Sequence, residues 1–269
     1  MLAGGDPAVA ARLGASMLCL QASIGAANDL ADVEVDRVGK PGKAIPAGLV
    51  TLQIARGWAT GTVALGVLLA LPSGVPTALL AVAGVALGYV YDLWLSRTAL
   101  SWLPLALALP LLPLFAWLGA TGEAPSGLVA FAPVAMLAGA ALLVGNGVVD
   151  AERDRLAARP TVAVRIGRSR AWLAHALALG LAAVLALLLA PSGPPAGGPA
   201  ADGAGVLRDV RSIGIPLGAA AIAGGIVLLR AARPRLRERG WELEAIGTAI
   251  LGLGWLAGTA LVVSGGAGA

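Results

Sequence analysis

The stretch LVAFAPVAMLAGAALLVGNGVVDAERDR, residues 128–155, decides the fold. Residues 128–149 carry no charge, and an uncharged run of that length, wound as a helix, crosses a hydrocarbon layer about 30 Å thick. The end of the stretch is its opposite: Asn146, Asp150, Glu152, Asp154 and Arg155 crowd into ten residues. An unpaired charge in the bilayer interior costs about 2.5–3.5 kcal/mol even on lenient scales. Acids placed at the end of such a span therefore have to line a polar cavity.

The same pattern stands earlier in the chain, where Asn28, Asp32, Glu34, Asp36 and Arg37 repeat the spacing N-x3-D-x-E-x-D-R. Six of the protein's 15 acidic residues lie in these two matched clusters. At about 100° per residue, positions i, i+4 and i+8 of a helix share a face, which groups Asn28, Asp32 and Asp36 in one triad and Asn146, Asp150 and Asp154 in the other. Glu34 and Glu152 fall off those faces. One cluster alone reads as a helix cap or a solvated loop, whereas two matched copies point to divalent-metal sites. Magnesium usually takes one or two carboxylates and fills its octahedron with water and phosphate oxygens, so two such half-sites facing each other call for a diphosphate between them. Arg37, Lys40, Lys43, Arg97, Arg153 and Arg155 lie near the motifs and are candidates to neutralise it.

Composition agrees with a membrane protein: 58% of residues are hydrophobic, 13% are charged, and mean hydropathy is +0.85. Eight apolar stretches are expected to span, near 8–27, 52–71, 76–93, 99–119, 128–149, 171–190, 213–232 and 243–263. If the loops alternate sides, 16 of the 19 basic residues fall on the side of the two motifs, which the positive-inside rule makes cytoplasmic. This use of the basic residues leaves no stripe for nucleic acid. Met1 to Pro7 shows no signal-peptide pattern and is expected outside. Pro72 to Pro76, Thr121 to Gly127 and Pro191 to Gly205 read as turns and loops. Cys19 and His175 lie alone on apolar stretches and are expected to pack rather than to ligate. Trp58, Trp94, Trp102, Trp172 and Trp241 are expected at the membrane interfaces.

On these motifs the chain resembles the UbiA superfamily of intramembrane prenyltransferases. The family's NDxxDxxxD motif stands intact as Asn28-Asp29, Asp32 and Asp36, and residues 40–48, KPGKAIPAG, resemble the segment that follows it. Its DxxxD motif stands as Asp150 and Asp154, with Asn146 one turn upstream. The resemblance implies an all-α, polytopic transmembrane bundle around a central cavity, with the whole of residues 1–269 as one domain in the cell membrane. It further implies two Mg²⁺ ions bridged by the diphosphate of a prenyl substrate. Asn28, Asp29, Asp32 and Asp36 would hold one ion, and Asn146, Asp150 and Asp154 the other. The four aspartates Asp32, Asp36, Asp150 and Asp154 would be catalytic, and Arg37, Lys43, Tyr91, Arg97 and Arg155 would bind the diphosphate. Two departures stand out. About eight helices are expected where the family usually has nine, and Ser96 replaces a lysine common in the family's Tyr-x-x-x-Lys-Arg segment, here Tyr91 to Arg97.

By the same resemblance an aromatic quinone-precursor acid, the commonest acceptor in that family, is the favoured small-molecule acceptor, with a glycerol-phosphate ether lipid or a terpene-cyclase reaction as alternatives. CDP-alcohol phosphotransferases require D-G and A-R pairs between their aspartates, which neither cluster contains. A transporter would carry its charges near helix midpoints, whereas these lie at helix ends.

Overall fold

The computed structural model describes residues 6–191 and 204–266. Among these residues the regular structure is helical throughout: α1 (Pro7–Ala31), α2 (Val33–Gly39), α3 (Leu52–Ala70), α4 (Val75–Leu93), α5 (Leu103–Ala108), α6 (Leu111–Thr121), α7 (Ser126–Leu156), α8 (Val162–Ile166), α9 (Arg168–Leu188), α10 (Ala204–Leu229) and α11 (Pro234–Gly266). Eight helical stretches are long and apolar enough to cross a membrane, counting α5 and α6 as one. They match the eight expected spans. The last two begin earlier than expected, at Ala204 and Pro234, because the helices include charged residues near their starts, Arg208 to Arg211 and Arg235 to Arg239, that an apolar window rejects. The expected signal-free N-terminus and the Pro191 to Gly205 loop fall largely outside the described residues.

Local chemistry sets the boundaries. The Asp6 carboxylate accepts from the Ala8 amide at 2.8 Å, with Pro7 at the first helical position. The Thr51 hydroxyl accepts from the Ile54 amide at 3.2 Å and starts α3. Gly122, at φ 79°, ends α6 in the left-handed conformation that glycine tolerates. The stretch expected as one span near 99–119 is divided at Leu109-Pro110. Pro113 has no amide hydrogen, and its ring crowds the carbonyl four residues back, which is Leu109.

Helix α1 packs on α3, α4 and α6, while α7 packs on α5, α8, α9 and α11. Polar groups inside the bundle are tied to backbone carbonyls, as a medium without water requires. Ser16 donates to Gly66 O at 2.6 Å and Ser23 to Ala59 O at 2.7 Å. His175 and Glu244 are fully buried, with His175 Nδ1 2.7 Å from Ala141 O and Nε2 3.1 Å from Glu244 Oε1. His175 thus joins α7, α9 and α11 rather than simply packing. Trp58 and Trp94 are exposed, in keeping with interface positions. The indoles of Trp172 and Trp241 instead donate inward to Ile226 O and Leu142 O, so these two hold helices together.

Candidate functional site

The first motif straddles a break. α1 ends at Ala31, Asp32 sits at φ −102° and ψ 8°, and α2 resumes at Val33. Asn28, Asp32 and Asp36 therefore do not lie along one straight helix, as the spacing alone predicts. The break still carries hydrogen bonds through the corner, from Asp32 N to Asn28 O and from Asp36 N to Asp32 O. The second motif ends α7, which is unbroken from Ser126 to Leu156 and puts Asn146, Asp150 and Asp154 on one face as expected.

The two motifs meet. One cavity of about 120 Å³ is lined by Asp32, Asp36, Lys40, Asp150, Asp154 and Arg159, among others. An adjoining one of about 200 Å³ takes in Asn28, Tyr91, Ser96, Asn146 and Thr161 and shares Asp32, Asp150 and Asp154 with it. Residues far apart in the chain thus bring four carboxylates and two carboxamides to one polar chamber at the end of the bundle. Asp36 and Asp154 are buried.

Each acid of the chamber already has a partner. Arg159 donates to Asp32 Oδ1 at 2.7 Å, and Arg97 approaches the same oxygen at 3.4 Å while donating to Ala31 O at 2.8 Å. Lys43 bridges Asp29 and Asp36, at 2.7 Å to each. Arg153 pairs with Asp150, and the Thr161 hydroxyl donates to Asp154 at 3.1 Å. Burial on its own would ease the proton from Lys43, but the hydrogen bonds and negative charge of Asp29 and Asp36 prevail and hold its pKa above the ordinary lysine value. Lys43 is accordingly a cation at any physiological pH.

Some expected site residues lie elsewhere. Asp29 turns to Lys43 and lines neither polar cavity. Arg37 is exposed and pairs with Glu34, and Arg155 is exposed and also lines neither cavity; Lys43 and Arg97 line neither cavity but reach the chamber through Asp36 and Asp32. Residues that spacing did not single out take their place. Arg159 is one, and Asp92, which accepts from the Asn28 amide at 3.0 Å, is another. Lys40, noted only as a nearby charge, lines both polar cavities.

The donor set fits a hard divalent cation in kind: its carboxylates and carboxamides offer oxygens, and neither His175 nor Cys19 lines the polar cavities. Among the described residues, however, no three acid, histidine or cysteine side chains are gathered closely enough to hold an ion together. The ion pairs above show why, since each carboxylate is drawn to a basic or hydroxyl group of the chain.

Two apolar cavities lie within the bundle. One of about 250 Å³ runs between α1, α4 and the α5–α6 segment and shares Tyr91 and Leu143 with the polar chamber. The other, about 410 Å³, lies among α6, α7, α9, α10 and α11 and shares Leu112 with the first.

Residues 2–208 match the UbiA prenyltransferase family. Over 97 residues the chain is 39% identical to the digeranylgeranylglyceryl phosphate synthase of Ignicoccus hospitalis, a match that covers 36% of this chain and 32% of that protein. The match thus spans about a third of that relative's length. Among solved structures, the apo UbiA homolog from Aeropyrum pernix K1 aligns with TM-score 0.73 at 18% identity, over 94% of this chain and 91% of that one. The UbiA homolog from Archaeoglobus fulgidus bound to GPP and Mg²⁺ aligns with TM-score 0.68 at 18% identity, over 97% and 89%.

Proposed function

The chain belongs to the UbiA prenyltransferase family, and from that membership we propose that it transfers a prenyl group from a prenyl diphosphate to the hydroxyl of a glycerol-phosphate ether lipid, with magnesium as cofactor and residues 1–269 acting as one domain. The observation that carries the reading is the meeting of both acidic motifs on one polar chamber that shares Tyr91 and Leu143 with an adjoining apolar cavity. A diphosphate head and an isoprenoid tail need that juxtaposition.

In this reading Asn28, Asp32 and Asp36 hold one Mg²⁺, and Asn146, Asp150 and Asp154 a second. Bound there, magnesium supplies positive charge that stabilises the departing diphosphate. The chain supplies the rest. Lys40, Lys43, Arg97 and Arg153 add fixed cations around the chamber. The apolar cavity receives the prenyl tail and excludes water while the C1–O bond breaks, its electron pair leaving with the diphosphate. The acceptor oxygen then forms the new C–O bond, and its proton passes to the diphosphate.

The acceptor is where the comparisons and the sequence part. The family resemblance favours an aromatic acid, whereas the curated relative makes a digeranylgeranylglyceryl phosphate, which supports the ether-lipid alternative. The second apolar cavity supports it too. An acceptor with its own lipid chain needs a place for that chain, and the 410 Å³ cavity beyond Leu112 supplies one. The distribution of basic residues supports a cytoplasmic chamber in the cell membrane.

The test is to incubate detergent-purified protein with Mg²⁺, labelled geranylgeranyl diphosphate and either a glycerol phosphate bearing one geranylgeranyl ether chain or a hydroxybenzoic acid. The label is expected on the glycerol phosphate, and Asp32→Asn or Asp150→Asn is expected to cut diphosphate release by at least about a hundredfold. Release that survives both substitutions overturns the catalytic reading, and label on the aromatic acid alone overturns the acceptor.

A further inference from the structure

Arg159 lies between α7 and α8, five positions after Asp154, where the chain turns sharply. Ala158 takes a positive φ of 52°, and the Arg159 amide donates back to Asp154 O at 2.8 Å. This turn aims the side chain across the chamber. Its side chain, 17% exposed, brings the guanidinium to Asp32 of the opposite motif at 2.7 Å, and Arg159 lines both polar cavities. The contact joins the two motifs, and it occupies the central acid of the first. Asp32 binds a divalent cation more weakly while that guanidinium holds its Oδ1, because two cations on one carboxylate repel each other.

The guanidinium has an alternative partner. Its planar fork fits phosphate oxygens as well as it fits a carboxylate. The charges lining the chamber make the exchange favourable only in company. Counting the groups that line the chamber and their ion-pair partners, five acids, Asp29, Asp32, Asp36, Asp150 and Asp154, face five cations, Lys40, Lys43, Arg97, Arg153 and Arg159. Divalent cations alone would tip this near-balance positive and a diphosphate alone would make it strongly negative, while the two together restore it.

Resting on the diphosphate reading above, we propose that Arg159 is an exchangeable counter-ion, which holds Asp32 while no diphosphate is bound and passes to the diphosphate when it arrives, freeing Asp32 for the metal. Metal and diphosphate then bind weakly apart and tightly together, and Arg159 sets that coupling.

The experiment needs no turnover. Mn²⁺ is titrated into the full-length protein in detergent, with and without inorganic pyrophosphate, and free Mn²⁺ is read by electron paramagnetic resonance. In the unaltered protein pyrophosphate is expected to tighten Mn²⁺ binding at least about tenfold. In Arg159→Gln, Mn²⁺ alone is expected to bind about tenfold tighter, since Asp32 has lost a competitor, and the pyrophosphate enhancement is expected to shrink about tenfold. A second arm keeps Arg159 and releases it. Asp32→Asn is expected to raise metal-free pyrophosphate affinity, measured by calorimetry, about tenfold, and the Asp32→Asn/Arg159→Gln double variant to lose that gain. This arm decides alone if Arg159→Gln does not fold. Unaltered Mn²⁺ titrations in Arg159→Gln, or unaltered pyrophosphate binding in Asp32→Asn, overturn the exchange and leave the diphosphate reading standing. No pyrophosphate effect in the unaltered protein sinks the diphosphate reading itself.

Discussion

Asp92 is 3% exposed, accepts the Asn28 amide on Oδ1 at 3.0 Å, and makes no hydrogen bond through Oδ2 among the described residues. Because the Asn28 NH₂ group is fixed on Asp92, its carbonyl oxygen is the end left to face the chamber that Asn28 lines. A group that orients a ligand in this way is typically worth about 10–100-fold in metal affinity. Asp92→Ala is therefore expected to weaken Mn²⁺ binding in the presence of pyrophosphate by about that factor, while Asp92→Asn, which keeps an oxygen to accept from Asn28, loses much less. Equal losses in the two variants would mean that Asp92 only fills space. Neither Asp92 nor Arg159 could be picked out from the sequence as a site residue, and the reason is the same for both. Their partners lie 64 and 127 positions away, and helical spacing carries no information at that range. What was legible was the pair of motifs, because three oxygen-bearing residues at four-residue intervals stay local and the fold has only to bring the two copies together.

The same motif position has different fates on different elements. Glu34, on the short α2, is 80% exposed and among the described residues pairs only with Arg37 within its own helix. Glu152, near the end of α7, accepts from Arg168 of α9 at 3.3 Å and from Arg237 of α11 at 2.8 Å, whose side chain is 2% exposed. Removing Glu152 strands a buried guanidinium. Glu152→Ala is expected to cost about 1–3 kcal/mol, read as a lower thermal midpoint in detergent, and Glu34→Ala to leave that midpoint unchanged. Helices α10 and α11 meet on glycines in seven-residue steps, Gly218 and Gly225 against Gly240 and Gly247, a repeat that suits a left-handed crossing. A Cβ on Gly247 would sit 2.8 Å from Gly218 O, whereas one on Gly61 of α3 would meet nothing within 4 Å. Gly247→Leu is expected to abolish the monodisperse folded protein on size exclusion, and Gly61→Ala to leave it intact. Apolar length revealed the spans, since the bilayer sets one simple criterion for all of them. The corner at Asp32 stayed hidden, because residues 29–36 alternate acids with Leu, Ala and Val and nothing in them forbids a straight helix.

At the scale of the whole molecule the chamber lies on a seam. The first motif belongs to α1 and α2, and α1 packs with α3, α4 and α6; the second ends α7, which packs with α9 and α11. The α5–α6 segment joins the groups, with α5 packed against both α4 and α7. α5 comes so close to α7 at Gly139 that a side chain there would collide with the backbone of Leu105. In the protein as it stands the Asp32–Arg159 ion pair also ties the seam. A ligand gripped by both motifs replaces that single tie with several, so its binding energy opposes separation of the two groups. Ligand at a hundred times its dissociation constant adds about 2.7 kcal/mol to the folded state. Mg²⁺ with pyrophosphate is therefore expected to raise the thermal midpoint by several degrees, with Mg²⁺ or pyrophosphate alone giving less than half of the shift and a chelator reversing it. Asp150→Asn is expected to remove the combined shift, and Asp32→Asn to reduce it to what pyrophosphate alone gives in that variant, because each disables one side of a grip that works fully only when both sides close. A full shift that persists in Asp150→Asn would place the ligand on the first group alone, and the seam would then have no part in binding it.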